Sequence, residues 1–558
     1  MLVWKFTALA SLVETAVWIV GSSVRGGHGA ATQAFALRTF LACFALQYGA
    51  IKLYWAFIYP FFRSPLRHLP GPKNNIPLIG QLKNLLTASS PVELYVKWGN
   101  TWPDAPFIRH LGIGNAETLL VNTPEAHKEV LQTYCYSFQK PELFSRYIGE
   151  IVGRGLLFVE GNEHKRQRRI LQSLFSVPSI KRILPVFHEK AKSLISIFEK
   201  KLDENGRANI EAVEYFSKMT IDVVGVTILG VELNNLSPED RELDFLSCYH
   251  RVFNQSAFGS AIGFINVFIP IRWLPLKANK CFIEANNELR RLVRQCVHQR
   301  VKDLANGTSS PRRNSEELGG RHHGDLLTLM VEERKQLGDK ADLTEEDMVG
   351  HLLTFTAAGY ETTAGAMMWA SYVLATNPEV QDKLRAEILP LFEDNPNAKL
   401  ELSDIEKLSY MHNFCREVLR IHAPAVSTYR EAKTDLTICG EFIPKGTTML
   451  LVPAVTGLSK NVWGDDADEF KPERWNALHG DAASPYAFNP FGGGPRICIG
   501  RQFALCEFKI LLLEVVRHFR LLPSPELESL EGKLPEIDNP AVAYKPKGGV
   551  NIVLERIW

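Results

Sequence analysis

Phe491-Gly492-Gly493-Gly494-Pro495-Arg496-Ile497-Cys498-Ile499-Gly500 carries the most specific chemistry in this chain. Its glycine run suggests a phosphate cradle, but no Gly-Lys-Ser/Thr follows, and a lysine is needed there to reach phosphate. An ordinary turn with a buried cysteine before a helix starting near Arg501 is the plain alternative. The surroundings of Cys498 argue for more. Small neighbours let backbone N–H groups approach the sulfur, a helix N-terminus follows, and Arg496 adds positive charge, all of which favour thiolate over thiol. A thiolate presented from a glycine-rich loop acts as a nucleophile or a metal ligand. No histidine stands nearby in sequence to serve as its base.

Upstream, apolar residues at three- and four-residue spacings predict helices over 178–201, 284–304, 344–376, 378–389 and 502–519. Thr344 with Asp347 reads as a capping box, and Asn377 as a cap with Pro378 at the first helical position. Strand-like pieces are short: 106–111, 117–122, 436–439 with 441–443, and 448–452; Cys439-Gly440-Glu441 reads as a hairpin turn. The class is mainly α with a minor β-sheet. Within the long helix, Ala358-Gly359-Tyr360-Glu361-Thr362-Thr363 sets an acid among apolar residues, where acids rarely stand without a task. A threonine there most often bonds back to a carbonyl one turn earlier, here Ala358 or Gly359. Glu417 and Arg420, three apart on one helix face, read alone as a surface ion pair of about 0.2–0.5 kcal/mol.

The decapeptide resembles the haem-binding signature of the cytochrome P450 family, Phe-x-x-Gly-x-Arg-x-Cys-x-Gly. Phe491, Gly494, Arg496, Cys498 and Gly500 match every fixed position, and further matches follow in the family's order across roughly residues 70–558. The resemblance implies a cytochrome P450 fold with Cys498 as the proximal thiolate on the iron of haem b, favouring O–O cleavage. It implies that Glu361 and Thr362 form the acid–alcohol pair that delivers protons to dioxygen, with Gly359 letting the helix open. It makes Glu417, Arg420 and Arg474 of Pro472-Glu473-Arg474-Trp475 a buried structural triad, Trp475 replacing the usual Phe. Arg168, Arg430 and Arg496 fit propionate-binding positions. His164 stands where the family's helix most often has tryptophan and can still donate to a carboxylate.

The ends and the composition fill in the setting. Residues 1–62 are read as an N-terminal membrane anchor of one or two hydrophobic spans, 63–75 as a proline-rich hinge, and 76–558 as the haem-thiolate monooxygenase domain. Thr39–Phe62 is long enough to cross a hydrocarbon core of about 30 Å, and aromatic residues crowd its far end. Lys52 interrupts it and requires snorkelling; Glu14 makes the first stretch a poor cleaved signal. Arg63, Arg67 and Lys73 favour a cytoplasmic body, which with the resemblance implies the endoplasmic reticulum membrane. Leu69-Pro70-Gly71-Pro72 stops any helix.

Among the 558 residues, 63 basic against 62 acidic ones leave a net charge of +1, which gives no bulk electrostatic case for nucleic acid. Nine cysteines with no C-x-x-C pair argue against a disulfide scaffold or zinc ribbon. Residues 306–324 read as a polar surface loop in which His322-His323 is a solvated pair. The apolar stretch 259–276 is expected to dip into the bilayer beside the substrate entrance. Pocket walls are expected from 147–158, 253–264, 355–358, 425–428 and 539–544, whose apolar character suggests a sizeable hydrophobic substrate. Gly112-Ile113-Gly114 lacks the rest of a dinucleotide fingerprint. The resemblance therefore implies electrons from NADPH through a separate NADPH–cytochrome P450 reductase, with cytochrome b5 as an optional donor. Lys165, Arg166 and Arg169 suit an acidic redox partner or a solvated face. The overall character resembles fungal microsomal members that tailor terpenoid, polyketide or alkaloid skeletons. Two alternatives are a peroxide-rearranging P450, which the Glu361-Thr362 pair opposes, and a non-enzymatic haem protein.

Overall fold

The computed structural model describes residues 7–17, 33–237, 239, 243–253, 255–306, 324–337, 343–396, 398–539 and 543–557. The expected loop over 307–323, with His322-His323, lies outside the described residues, as do 540–542 of the expected pocket wall. A helix Gln33–Leu53 (α1) runs on through a π-type segment, Tyr54–Arg63, and the most apolar window of the 27-residue helix Leu37–Arg63 has no buried residue. A shorter apolar helix, Thr7–Val17, lies beside it, with Gln47 Nε2 donating to Glu14 Oε2 at 2.5 Å.

The end of this long helix is tied to the body. Arg109 donates to the Pro60 carbonyl at 2.5 Å and Asn115 to the Ala56 carbonyl at 2.8 Å. Arg109 lies in strand Phe107–Leu111 (β1), and its N–H binds the Pro70 carbonyl at 2.8 Å. A Cβ on Gly71 would fall 1.8 Å from the Arg109 carbonyl oxygen, so only glycine passes there. The hinge is a packed, pinned segment.

The main sheet orders β1, Glu117–Val121 (β2), Thr448–Leu451 (β8), Thr428–Ala432 (β5) and Phe138–Gln139 (β3). Arg207–Glu211 (β4), Asn551–Arg556 (β10) and Phe519–Pro523 (β9) form a second sheet, and Leu436–Ile438 (β6) with Glu441–Ile443 (β7) the expected hairpin. Cys439 and Gly440 turn it with φ of 49° and 80°, the positive-φ pair that a two-residue hairpin loop demands. Strands β3, β4, β5, β9 and β10 had no counterpart in the periodicity reading.

The helical body is built around Glu345–Thr376 (α9), almost wholly buried, against which Ala212–Val224 (α5) packs. Thr344 and Asp347 form the expected capping box. Asn377 stands at the expected cap position of the next helix, Pro378–Ile388, with Pro378 following, but its side chain makes no capping bond and turns back to the Val373 carbonyl at 2.9 Å. The other helices used below are Glu142–Val152 (α2), Gly161–Leu171 (α3), Val177–Lys201 (α4), Phe245–Phe253 (α6), Ala257–Phe268 (α7), Lys277–Ala305 (α8), Ser409–Ile421 (α10) and Arg501–His518 (α11). α8 starts seven residues before its expected position, and the apolar stretch 259–276 holds α7, which leaves Phe258, Phe268, Ile269 and Trp273 exposed.

Candidate active site around Cys498

The decapeptide folds as a tight loop ahead of α11. Cys498 N donates to the Phe491 carbonyl at 2.9 Å, closing the loop. Gly494 has φ of 62°, and a Cβ there would lie 2.0 Å from the Leu131 carbonyl oxygen, so glycine is required on two counts. Gly500 immediately precedes α11, and its own Cβ position is 4.0 Å from Cys498 Sγ. Phe491 packs half-buried against the main core.

Cys498 lies deep in the fold, yet its side chain borders open space. Burial pushes its thiol up, opposed by the Gly500 N–H and the charges of Arg168 and Arg501. The expected help from Arg496 is not among these influences. Arg496 instead pairs with Glu160 and donates to the Val159 carbonyl at 3.0 Å. Burial thus works against the free thiolate, and bonding to a metal is what would ionise such a sulfur outright.

Arg496 belongs to a cluster assembled from four separate segments. Lys140, just after β3, is held well below the usual lysine range by burial and by Arg430 and Arg496. Arg430, buried in β5, donates to the Tyr429 carbonyl at 2.8 Å and to Thr428 Oγ1 at 3.2 Å. Arg168 is half-buried in α3, and both burial and Arg496 lower its pKa. His164, one turn earlier and buried, meets the Tyr136 hydroxyl through Nδ1 at 3.4 Å. Burial first, then Arg496, Arg168, Lys140 and Arg430, push its pKa down to about 3, so the ring is neutral. Against three guanidinium groups and the Lys140 amine the cluster holds, among the described residues, one carboxylate, Glu160. Such a surplus in a low-dielectric setting is stable only with further anions. Two further carboxylates would bring it near neutrality, and haem has two. Lys140 and Tyr136 escaped sequence reasoning, because the strand β3 that seats them carries no local periodic signal.

The central helix α9 carries Glu361 and Thr362, whose side chains bond to different partners. Thr362 Oγ1 donates to the Ala358 carbonyl at 2.8 Å, the local back-bond expected of a helical threonine. The Glu361 carboxylate accepts from Lys545 Nζ at 3.3 Å. Gly359 has a packing reason as well: its Cβ would meet Val224 Cγ2 of α5 at 2.9 Å.

Glu417, Arg420 and Arg474 do converge, and they are no surface pair. Glu417 and Arg420 side chains are 0% exposed, joined by two bonds of 2.8 Å, and Arg474 Nε donates to Glu417 at 2.7 Å. Trp475 Nε1 adds a bond of 2.9 Å and Lys471 N another of 2.9 Å. Trp475 is thus a fourth, hydrogen-bonding member that phenylalanine would not supply.

The site joins a cysteine loop ahead of a buried helix to a basic cluster within a mainly helical body. The family model for Cytochrome P450 matches residues 70–548, and the chain belongs to that family. It is 31% identical over 514 residues to Cytochrome P450 monooxygenase sphH of Aspergillus fumigatus, covering 89% of this chain and 90% of the relative. It is also 31% identical to Cytochrome P450 monooxygenase FUM15 of Gibberella moniliformis, covering 91% and 92%. Cytochrome P450 monooxygenase 205 of Postia placenta is 30% identical, covering 88% and 92%. The chain is a P450 monooxygenase, and its family implies a haem-thiolate cofactor.

Proposed function

We propose that this chain inserts one oxygen atom from O2 into a lipophilic substrate, by hydroxylation, epoxidation or successive oxidation, as a tailoring step in fungal secondary metabolism. The observation that supports it best is the Cys498 sulfur bordering open space, with Arg168, a member of the basic cluster of Arg168, Arg430, Arg496 and Lys140, acting on it. Haem held there would supply the dioxygen-activating chemistry. Cys498 would be its axial ligand, and Arg168, Arg430, Arg496 and Lys140 would neutralise its carboxylates, with His164 and Tyr136 completing the rim. Gly494 lets the loop backbone sit against Leu131, and Phe491 anchors it to the core. Thr362 would offer its hydroxyl toward the substrate side once released from Ala358, and Glu361 would carry protons inward. Glu417, Arg420, Arg474 and Trp475 fix the framework behind the loop.

Electrons would come from NADPH through a separate reductase, with cytochrome b5 as an optional donor, and exposed Lys165, Arg166 and Arg169 of α3 suit an acidic partner. The 27-residue apolar helix supports anchoring through 1–62, with 63–75 as the hinge and 76–558 as the catalytic domain. The exposed Phe258, Phe268, Ile269 and Trp273 suit contact with lipid, and the setting proposed is the endoplasmic reticulum membrane with the body in the cytoplasm. The test uses membranes containing the full chain and reductase. A thiolate-type carbon monoxide difference spectrum and NADPH-dependent oxygenated products from a lipophilic panel are expected. No carbon monoxide band, or an imidazole-type one, would overturn the proposal.

A further inference from the structure

Helix α11 leaves the cysteine loop with one mixed face. Arg501, Leu505 and Lys509 stand four apart, and Gln502 and Cys506 fill the positions beside them, so these residues share one side of the helix. That side does not pack flush against its neighbours. With the first turn of α4, the short helix Leu402–Glu406 and the start of α10, it encloses a cleft of about 520 Å³. Small-molecule sites span about 300–1,000 Å³. No residue of the loop 491–500 or of the basic cluster around Arg496 lines this cleft.

The walls divide by chemistry. Ile180, Leu402, Ile405 and Leu505 supply apolar surface. Lys509 is only 8% exposed, yet it lines the cleft, and among the described residues its ammonium makes no hydrogen bond or ion pair. A lysine so enclosed ordinarily has a carboxylate beside it, because a buried charge without a partner is costly. Arg501, at the exposed rim, also has no ion pair among the described residues. Glu406 is the carboxylate of the cleft, and among the described residues no bridge joins it to either cation. Desolvation in the cleft wall first, then Lys509, Arg416 and Arg501, push the His412 imidazole down to about 4, which leaves it uncharged at neutral pH. Two cations against one carboxylate leave the cleft one positive charge, which matches a monoanion better than a dianion. Asn413 donates to Asn476 at 2.7 Å, bracing α10 against the segment Pro472–Asn476.

We propose that this cleft is a binding site, separate from the oxygenation site, for a small organic monocarboxylate with an apolar body. The carboxylate pairs with Lys509 and Arg501, and the apolar part lies on Ile180, Leu402, Ile405 and Leu505. The ligand thereby gives Lys509 the counter-ion that the fold withholds. It also joins α10 to α11, so its binding stabilises the folded chain by mass action. The cleft binds in this way whatever reaction the cysteine loop supports.

The test titrates the full chain, haem-loaded and in phosphatidylcholine nanodiscs, by calorimetry. The probes are phenylacetate, its neutral isostere phenylacetamide and the dianion phenyl phosphate. Phenylacetate is expected to bind saturably, about tenfold more tightly than phenylacetamide, and more tightly than phenyl phosphate. The thermal midpoint should rise and the Soret band should stay where it is. Lys509→Met is expected to weaken phenylacetate about tenfold and leave phenylacetamide unchanged, and Lys509→Arg to retain the binding. Ser409→Trp, which places an indole in the cleft from its exposed rim, is expected to block both probes. It keeps every charge, so it decides the matter should Lys509→Met fail to fold. No saturable heat with phenylacetate would overturn the proposal. Phenylacetate binding that Ser409→Trp leaves unchanged, or that moves the Soret band, would place the ligand elsewhere and overturn it too. Equal affinity for phenylacetamide, or tighter binding of phenyl phosphate, would refute recognition of a monocarboxylate.

Discussion

Replacing Glu417 by glutamine changes one oxygen to nitrogen at the most enclosed ion pair of the body. Oε1 accepts from Arg420 Nη2, Lys471 N and Arg474 Nε, and Oε2 from Arg420 Nε and Trp475 Nε1, at 2.7–2.9 Å. An amide leaves one acceptor oxygen, and its NH2 group must face donors wherever it is placed. The Arg420 guanidinium then stays buried and charged without a counter-ion. Breaking a buried pair in this way costs about 3–5 kcal/mol, or roughly two to four decades in the folded-to-unfolded ratio. Domains are stable by only about 5–15 kcal/mol, so Glu417→Gln is expected to lower the yield of protein with a carbon monoxide band and to move the urea midpoint of the full chain, in detergent, sharply down. Trp475→Phe isolates one bond to the same carboxylate and is expected to cost about 1.5–3 kcal/mol. The Lys383–Glu473 pair, 57% and 48% exposed, is the control, and Lys383→Ala should leave the midpoint where it was. A Glu417→Gln midpoint close to wild type would refute the account of the triad as a charge-balanced knot.

Gly494→Ala forces a Cβ into the Leu131 carbonyl and is expected to abolish haem incorporation, measured as porphyrin per protein; full loading would contradict the loop geometry. Cys498→Ala should remove the thiolate-type carbon monoxide band, and a retained band would exclude Cys498 as ligand. Thr362→Ala should raise peroxide release per NADPH, and tight coupling would deny that hydroxyl its part in proton delivery. Acid should destabilise the fold through its buried histidines. Burial pushes His110, His127 and His351 down to about 4 and, with Arg420, His422 to about 3, against an ordinary value of 6.5. The unfolded chain then binds more protons between these values, so stability is complete above about pH 6.5 and falls toward pH 4 and below. His422→Phe, which keeps the stack on Trp369 at 4.1 Å, should flatten that fall, and an unchanged acid limb in urea titrations would count against it.

The parts legible in the sequence are those set locally. The capping box of Thr344 and Asp347 and the Cys439-Gly440 turn are each decided within a few residues. The strand carrying Arg430 was not legible, because Thr428–Ala432 pairs with partners tens to hundreds of residues away and has no clean alternation. Lys140 looks like any lysine until β3 seats it beside Arg430 and Arg496. Glu417 and Arg420 have the spacing of a surface pair, and only Trp475 and Arg474 arriving from elsewhere show that they are buried. The direction of Glu361 depends on Lys545, nearly two hundred residues on, which helical spacing cannot reveal.

Because Arg109 and Asn115 grip the carbonyls of Pro60 and Ala56, the span and the body form one lever without a swivel. With the span lodged in a bilayer, any lean imposed by membrane thickness is transmitted to the whole protein. If the exposed Trp273 face meets lipid as proposed, that lean would lift or sink it relative to the acyl chains. Lipid composition would then act as a dial on how deeply this face is immersed.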